Sequence, residues 1–210
     1  MMMRSPLVRI CCAFAAAIAM AACFGDPAGP TEFPSGSMRF SYVRIDTGGV
    51  PLADSVAFAA EGPVTLDSYF SGTYAFGLLS TTFTDSQAVR VYGQQAQETE
   101  GVYDGMLLFI ASPAVGTVTC AVTSSPLTCP FAATFRVGAS EDVLASDPTI
   151  LVTARSGSVT ITSVDDGRVK GTFRLQMRGT VDGQADALVR VSGGSFDVPL
   201  TSSDSLTVGG

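Results

Sequence analysis

The 210-residue chain contains no histidine and no tryptophan, and among its twelve basic residues only Lys170 is a lysine. Lack of histidine removes Ser-His-Asp and Cys-His catalysis together with the common histidine-containing zinc sites. A Ser-x-x-Lys pair would have to use Lys170, but the residue three positions earlier is Gly167. No Gly-x-Ser-x-Gly elbow, Gly-x-Gly-x-x-Gly loop or Walker loop is present either. Paired carboxylates are the catalytic device still open, and no cofactor or metal is expected. Positive charge is scarce as well: 12 Lys and Arg stand against 19 Asp and Glu, a net charge of −7. Neutralising a phosphate backbone needs a basic surface, so no nucleic-acid partner is expected.

What is there begins with an address. Arg4 and Arg9 precede an apolar stretch from Ile10 to Ala22, and small residues lead into Cys23; this is the layout of an export signal. The stretch falls short of the roughly 20 apolar residues that span a bilayer. It is also followed at once by Gly25, Asp26, Pro27 and Gly29, which do not continue a helix. Met20-Ala21-Ala22-Cys23 resembles the lipobox of bacterial lipoproteins, with Met where Leu is usual. The resemblance implies that the Cys23 thiol takes a diacylglyceryl group, that the signal is cut before Cys23, and that the new amino terminus is acylated. Two or more acyl chains, at about 0.8 kcal/mol per buried methylene, give a durable anchor where one does not. A plain signal cut near the same place is the alternative. Phe24 stands where an Asp commonly retains such proteins at an inner membrane, which points to the outer membrane or cell surface.

Residues 1–22 therefore read as a signal, 23–36 as the lipidated cysteine and a tether rich in Pro and Gly, and 37–210 as one domain of comfortable size for its own core. Loss of Arg4 and Arg9 would take the net charge from −7 to −9. Cys11 and Cys12 leave with the signal and Cys23 is lipidated, so Cys120 and Cys129 remain to bond in an oxidising compartment. They flank Ser124-Ser125-Pro126. A two-residue turn at Ser124 and Ser125 would set them directly opposite each other on an antiparallel ladder, within disulfide reach. A redox or metal role for the pair would want a Cys-x-x-Cys spacing or a histidine, and neither exists.

Beyond the tether the chain reads as about ten to twelve strands of an all-β domain, a single antiparallel sandwich or barrel, with no convincing amphipathic helix. "SEDVLASD" could form one helical turn, and "QQAQETEG" is too polar to pack. In "LTCPFAATFRV" Leu127, Cys129, Phe131, Ala133, Phe135 and Val137 share one face, and Pro130 favours an edge or a bulge. "GSVTITSVDDGRVKGTFRLQMRG" is a hairpin. A two-residue turn at Asp166-Gly167 would pair Ile161 with Thr172, apolar against polar. A three-residue loop of Asp165, Asp166 and Gly167 pairs Ile161 with Gly171 and Val159 with Phe173, and this is the expected register. It turns Val159, Ile161, Val169, Phe173, Leu175 and Met177 inward. This segment, "VRVSGGSFDVPL" after it and "SGTYAFG" before it resemble an uncharacterised family of bacterial lipoprotein domains, in which "GxVxIT", "GTFxx" and "GxFxV" strands recur. The resemblance implies a β-rich fold and no established activity.

Three groups of residues are candidate sites. Lys170, Arg174 and Arg178 lie on the outward face of one strand, an anion-contact stripe for glycan or lipid headgroups; the competing reading is a solvated face with acidic cross-strand neighbours. Acidic residues gather at Asp165 and Asp166, at Glu141, Asp142 and Asp147, and at Asp182 and Asp186; calcium or a glycosidase pair would draw on them, but turns favour Asp for their own reasons. Tyr69, Phe70, Tyr74, Phe76, Phe83 and Tyr92 would line a ligand cavity in a barrel or, at alternating spacing, form core. The expected function is a non-enzymatic, lipid-anchored cell-envelope protein with a structural or binding role and a glycan, lipid or protein partner. A lipocalin-like carrier of an apolar ligand comes next, then a carboxylate-dependent enzyme acting on polysaccharide.

Overall fold

The computed structural model describes residues 35–63, 72–81, 87–111, 114–121, 129–140, 148–165 and 167–202. Among them there is no helix, and ten strands follow one another: β1 Gly36–Ile45, β2 Val56–Gly62, β3 Tyr74–Thr81, β4 Gln87–Ala96, β5 Val102–Ile110, β6 Gly116–Cys120, β7 Phe131–Ser140, β8 Ile150–Asp165, β9 Arg168–Val181 and β10 Gln184–Ser202. All belong to one sheet, and every ladder is antiparallel except the short one between β10 and β3. Pairing runs from β10 through β3, β4, β5, β7, β8 and β9 and back to β10, so the sheet closes on itself.

Closure depends on two long strands that each serve two neighbours along one edge. β10 pairs β1 over Leu188–Asp197 and then β3 over Leu200–Ser202. Between the two lies Pro199, which has no N–H to leave unpaired at the changeover. The backbones meet so tightly there that a Cβ on Gly36 would lie 2.3 Å from the Ala75 carbonyl oxygen. β8 likewise pairs β7 through Ile150–Thr153 and β6 through Gly157–Ile161.

The hairpin of β8 and β9 carries the expected inner register: Val159 pairs Phe173, Ile161 pairs Gly171, and all six residues assigned to the inner face are buried. Its turn differs from the expected one. Asp165 pairs Arg168, so the loop holds two residues, and the extra residue is a bulge between Ile161 and Ser163. A bulge restores the apolar pairing as well as a longer loop would and adds local twist. Gly167 does take the left-handed conformation, with φ of 69°.

Phenylalanines plug the interior. Phe40 of β1 stacks on Phe58 of β2 with centroids 4.4 Å apart, and meets Phe135 and Phe173 edge-on at 5.2 and 5.7 Å. Tyr42 closes the group at 4.8 Å from Phe135. β4 adds Val89 and Val91 and comes closest to β1 at Gly93, where a Cβ would stand 2.9 Å from Met38 Sδ. At about 1.5–3 kcal/mol for each large apolar side chain taken out of water, this cluster is a main source of stability.

The segment expected to be too polar to pack contributes a buried residue. Gln94, at the end of β4, is 2 % exposed. Its amide is satisfied there: Tyr74 and Tyr92 hydroxyls donate to Oε1 at 3.2 and 3.0 Å, and Nε2 donates to the Gly72 carbonyl at 3.2 Å. A polar side chain is buried without penalty when its hydrogen bonds are made.

Candidate binding face

Alternation sorts the aromatic residues first. Tyr74 pairs Gln94 and Phe76 pairs Tyr92, while the intervening Ala75, Val89 and Val91 belong to the inner core. Tyr74, Phe76 and Tyr92 therefore stand on the outer side of β3 and β4 as a cluster of their own, with centroids 5.6–6.0 Å apart. They line no interior cavity and are not part of the main core. The reason is room: the inner positions alternating with them face Met38, Val198 and Leu200 and are held by Ala75, Gly77 and Gly93. Tyr69, Phe70 and Phe83 lie outside the described residues.

The cysteines meet by a route other than the expected hairpin. β6 pairs β8, so Cys120 faces Gly157 on its ladder. Cys129 precedes β7, and β6 and β7 lie one after the other along the same edge of β8. Their α-carbons are nonetheless 5.2 Å apart and the sulfurs are bonded, so the link ties the short strand β6 to the start of β7. The Ser124–Ser125 turn lies outside the described residues.

On β9 the three cations of the expected stripe point outward and are exposed, but their surroundings differ. Lys170 Nζ lies 3.3 Å from Asp197 Oδ2, and Arg168 Nε donates to Asp197 Oδ1 at 2.8 Å. Burial works to raise the Asp197 carboxyl, yet the hydrogen bonds and charges of Arg168 and Lys170 outweigh it and hold the group below the usual carboxylate range. Arg178 Nε pairs Asp186 Oδ1 at 3.1 Å. Cross-strand acids thus engage two of the three cations, the solvated-face reading, with Asp197 shared between Lys170 and Arg168. Arg174 has no ion pair or hydrogen bond among the described residues.

A local irregularity surrounds Arg174. Across from it β10 bulges between Val191 and Gly194, with Gly193 at φ of 61°. On the other flank Ser158 of β8 pairs it directly. The next rung out is Thr160, Thr172 and Ser195. Two shallow hollows of about 370 and 460 Å³ lie along this wall, and both include Ser158 and Arg174. Thr117 of β6 extends the hydroxyl rung, its Oγ1 2.8 Å from that of Thr160.

The acidic residues have local work. Asp182 and Gly183, both at positive φ, make the two-residue turn between β9 and β10, and Asp186 at φ of 61° sits in the bulge that follows. Asp165 closes the β8–β9 turn. Glu141, Asp142, Asp147 and Asp166 lie outside the described residues. Among the described residues no three metal-ligating side chains gather. In the interior, burial and then the charge of Asp104 push the Tyr42 phenol up to about 12, so it keeps its proton at any physiological pH.

Fold and face together define an all-β domain that is closed and filled within and offers its polar chemistry on an outer wall. The chain matches no protein-family model, no curated protein and no solved structure.

Proposed function

We propose that the protein is a lipid-anchored component of a bacterial cell envelope with a non-enzymatic, structural or binding role. The observation that carries this reading is the packed interior, where Phe40, Phe58, Phe135 and Phe173 occupy the space a carrier would keep for its cargo. A closed ring filled with side chains leaves its outer surface as the place to meet a partner. Asp165, Asp182, Asp186 and Asp197 are engaged in turns and ion pairs, which gives a hydrolytic pair among them little support. Cys23, behind its apolar leader, supplies the anchor, and the Pro- and Gly-rich residues after it serve as the tether.

Fractionating cells that express the full chain tests the address. The native protein is expected in the membrane fraction, carrying labelled palmitate, and the Cys23→Ser variant in the soluble fraction without label. Continued membrane association of that variant would overturn lipid anchoring.

A further inference from the structure

We propose that the outer wall around Arg174 is a binding site for an acidic glycan, a hydroxyl-rich chain bearing carboxylate, phosphate or sulfate groups. The proposal deepens the envelope reading by giving it a site and a ligand class, and rests on that reading only for where the glycan comes from. Three observations converge on this wall.

Arg174 is exposed and unengaged among the described residues, while Lys170 and Arg178 on the same face of β9 are held by Asp197 and Asp186. A guanidinium presents a planar fork of donors that matches a carboxylate or phosphate in two parallel hydrogen bonds. In a chain with a net charge of −7, an arginine left without an acid is a place where an external anion can supply the missing charge.

The side chains next to it are polar: Gln176 and Arg190 lie on one side, and those on the other are short and hydroxylated. Ser158 flanks Arg174 on β8, Ser192 and Gly193 stand opposite on the β10 bulge, and Thr160, Thr172 and Ser195 form the adjoining rung. Each hydroxyl both donates and accepts, as sugar hydroxyls do. Strands about 4.8 Å apart place such groups at regular intervals along an extended chain. The hollows on either side of Arg174 share it and Ser158, so they form one groove past the guanidinium.

Charge is also unevenly placed along the sequence. Arg136, Arg155, Arg168, Lys170, Arg174, Arg178 and Arg190 all fall on β7 to β10, whereas the chain from Cys23 to Pro130 holds three basic residues, Arg39, Arg44 and Arg90. Residues 131–202 hold eight acids against these seven bases and Cys23–Pro130 ten against three, so an incoming anion is repelled less on the β7–β10 side. A lipid headgroup is the poorer fit, because the outward positions beside Arg174 are Ser158, Thr172 and Gln176 and offer no apolar slot for acyl chains.

The test uses the full chain in neutral detergent and measures binding to polygalacturonate, dextran sulfate, uncharged dextran, and micelles doped with phosphatidylglycerol. At least one acidic polysaccharide is expected to bind, with uncharged dextran and doped micelles held far more weakly. Arg174→Gln should weaken the binding about tenfold or more, the range for a hydrogen bond to a charged group. Lys170→Gln, at a cation that Asp197 already engages and two outward positions along β9 from Arg174, should change it less than Arg174→Gln does. Ser158→Leu fills the groove and leaves every charge in place, so it too should weaken binding. Failure of both acidic polysaccharides to bind would overturn the proposal. So would native affinity in both the Arg174→Gln and Ser158→Leu proteins, or Arg174-dependent binding to the doped micelles alone, which would move the site to lipid headgroups. Membrane release of Cys23→Ser is a separate readout, so anchoring and glycan binding fail independently.

Discussion

Two outer walls of the same ring follow the same strand geometry and came out opposite in character. On β3, β4 and β5 the outward residues include Phe76, Tyr92, Leu107 and Phe109, with Tyr74 fully buried among them. On β8, β9 and β10 they include Ser158, Thr160, Thr172, Arg174 and Ser195. Both walls back onto the same phenylalanine-filled interior, so the inner faces do not explain the contrast. It lies in what each outer face is asked to do: one is packed and contributes to stability, whereas the other is open and costs little to change.

Substitution at matched outer positions probes that contrast directly, and Tyr74→Ala carries the largest expected effect. Loss of a buried ring, together with its hydrogen bond to Gln94, should cost about 3–5 kcal/mol in urea unfolding. Arg174→Ala on the other wall should stay within about 0.5 kcal/mol. Equal losses would erase the distinction. The next effect concerns the link that holds β6 at the edge of the hydroxyl wall. Replacing Cys120 and Cys129 by serine should remove about 3 kcal/mol in the chain-entropy picture. Adding reductant to the native protein should reproduce that loss and leave the double variant unchanged.

The smallest effect is electrostatic. The folded-state Asp197 carboxyl titrates below the ordinary aspartate value of 3.8, so its contribution is fully present above about pH 4 and is lost as the pH falls through the depressed folded value. Its carboxylate is more than a third exposed, so solvent screening keeps the contribution under about 1 kcal/mol. Asp197→Asn should flatten the acid limb of a stability-against-pH curve, and an unchanged limb would show that Arg168 and Lys170 do nothing for folding.

Much of the inner face was legible because strand alternation is a strong signal when apolar residues recur every second position. Val159, Ile161, Phe173, Leu175 and Met177 declared themselves in this way, and so did the register between their strands. The sequence did not reveal how the extra residue was accommodated, since a bulge after Ile161 and a longer loop give the same apolar pairing. Long-range choices were hidden as well. Nothing local to Cys120 says that its strand pairs β8, because the partner lies beyond Cys129 along the chain. Tyr74 and Phe76 alternate as core residues do, and only the space taken by Met38, Val198 and Leu200 turns them outward. Arg174 looked like its neighbours Lys170 and Arg178, for the acids that distinguish them arrive from a different strand. Its separateness depends on the bulge at Ser192 and Gly193, which alternation alone does not mark.

The changeover at Pro199 bears on how the chain reaches this state. Ser37 must find Asp197, and Gly77 must find Leu200, across most of the described sequence, and pairings of such separation are slow to form. Until β10 docks, β1, β3 and β9 each present an edge with unanswered hydrogen-bonding groups, the kind of surface on which chains aggregate. The final strand thus acts as a keystone, and assembly before it is placed is a period of exposure that a holding chaperone would shorten.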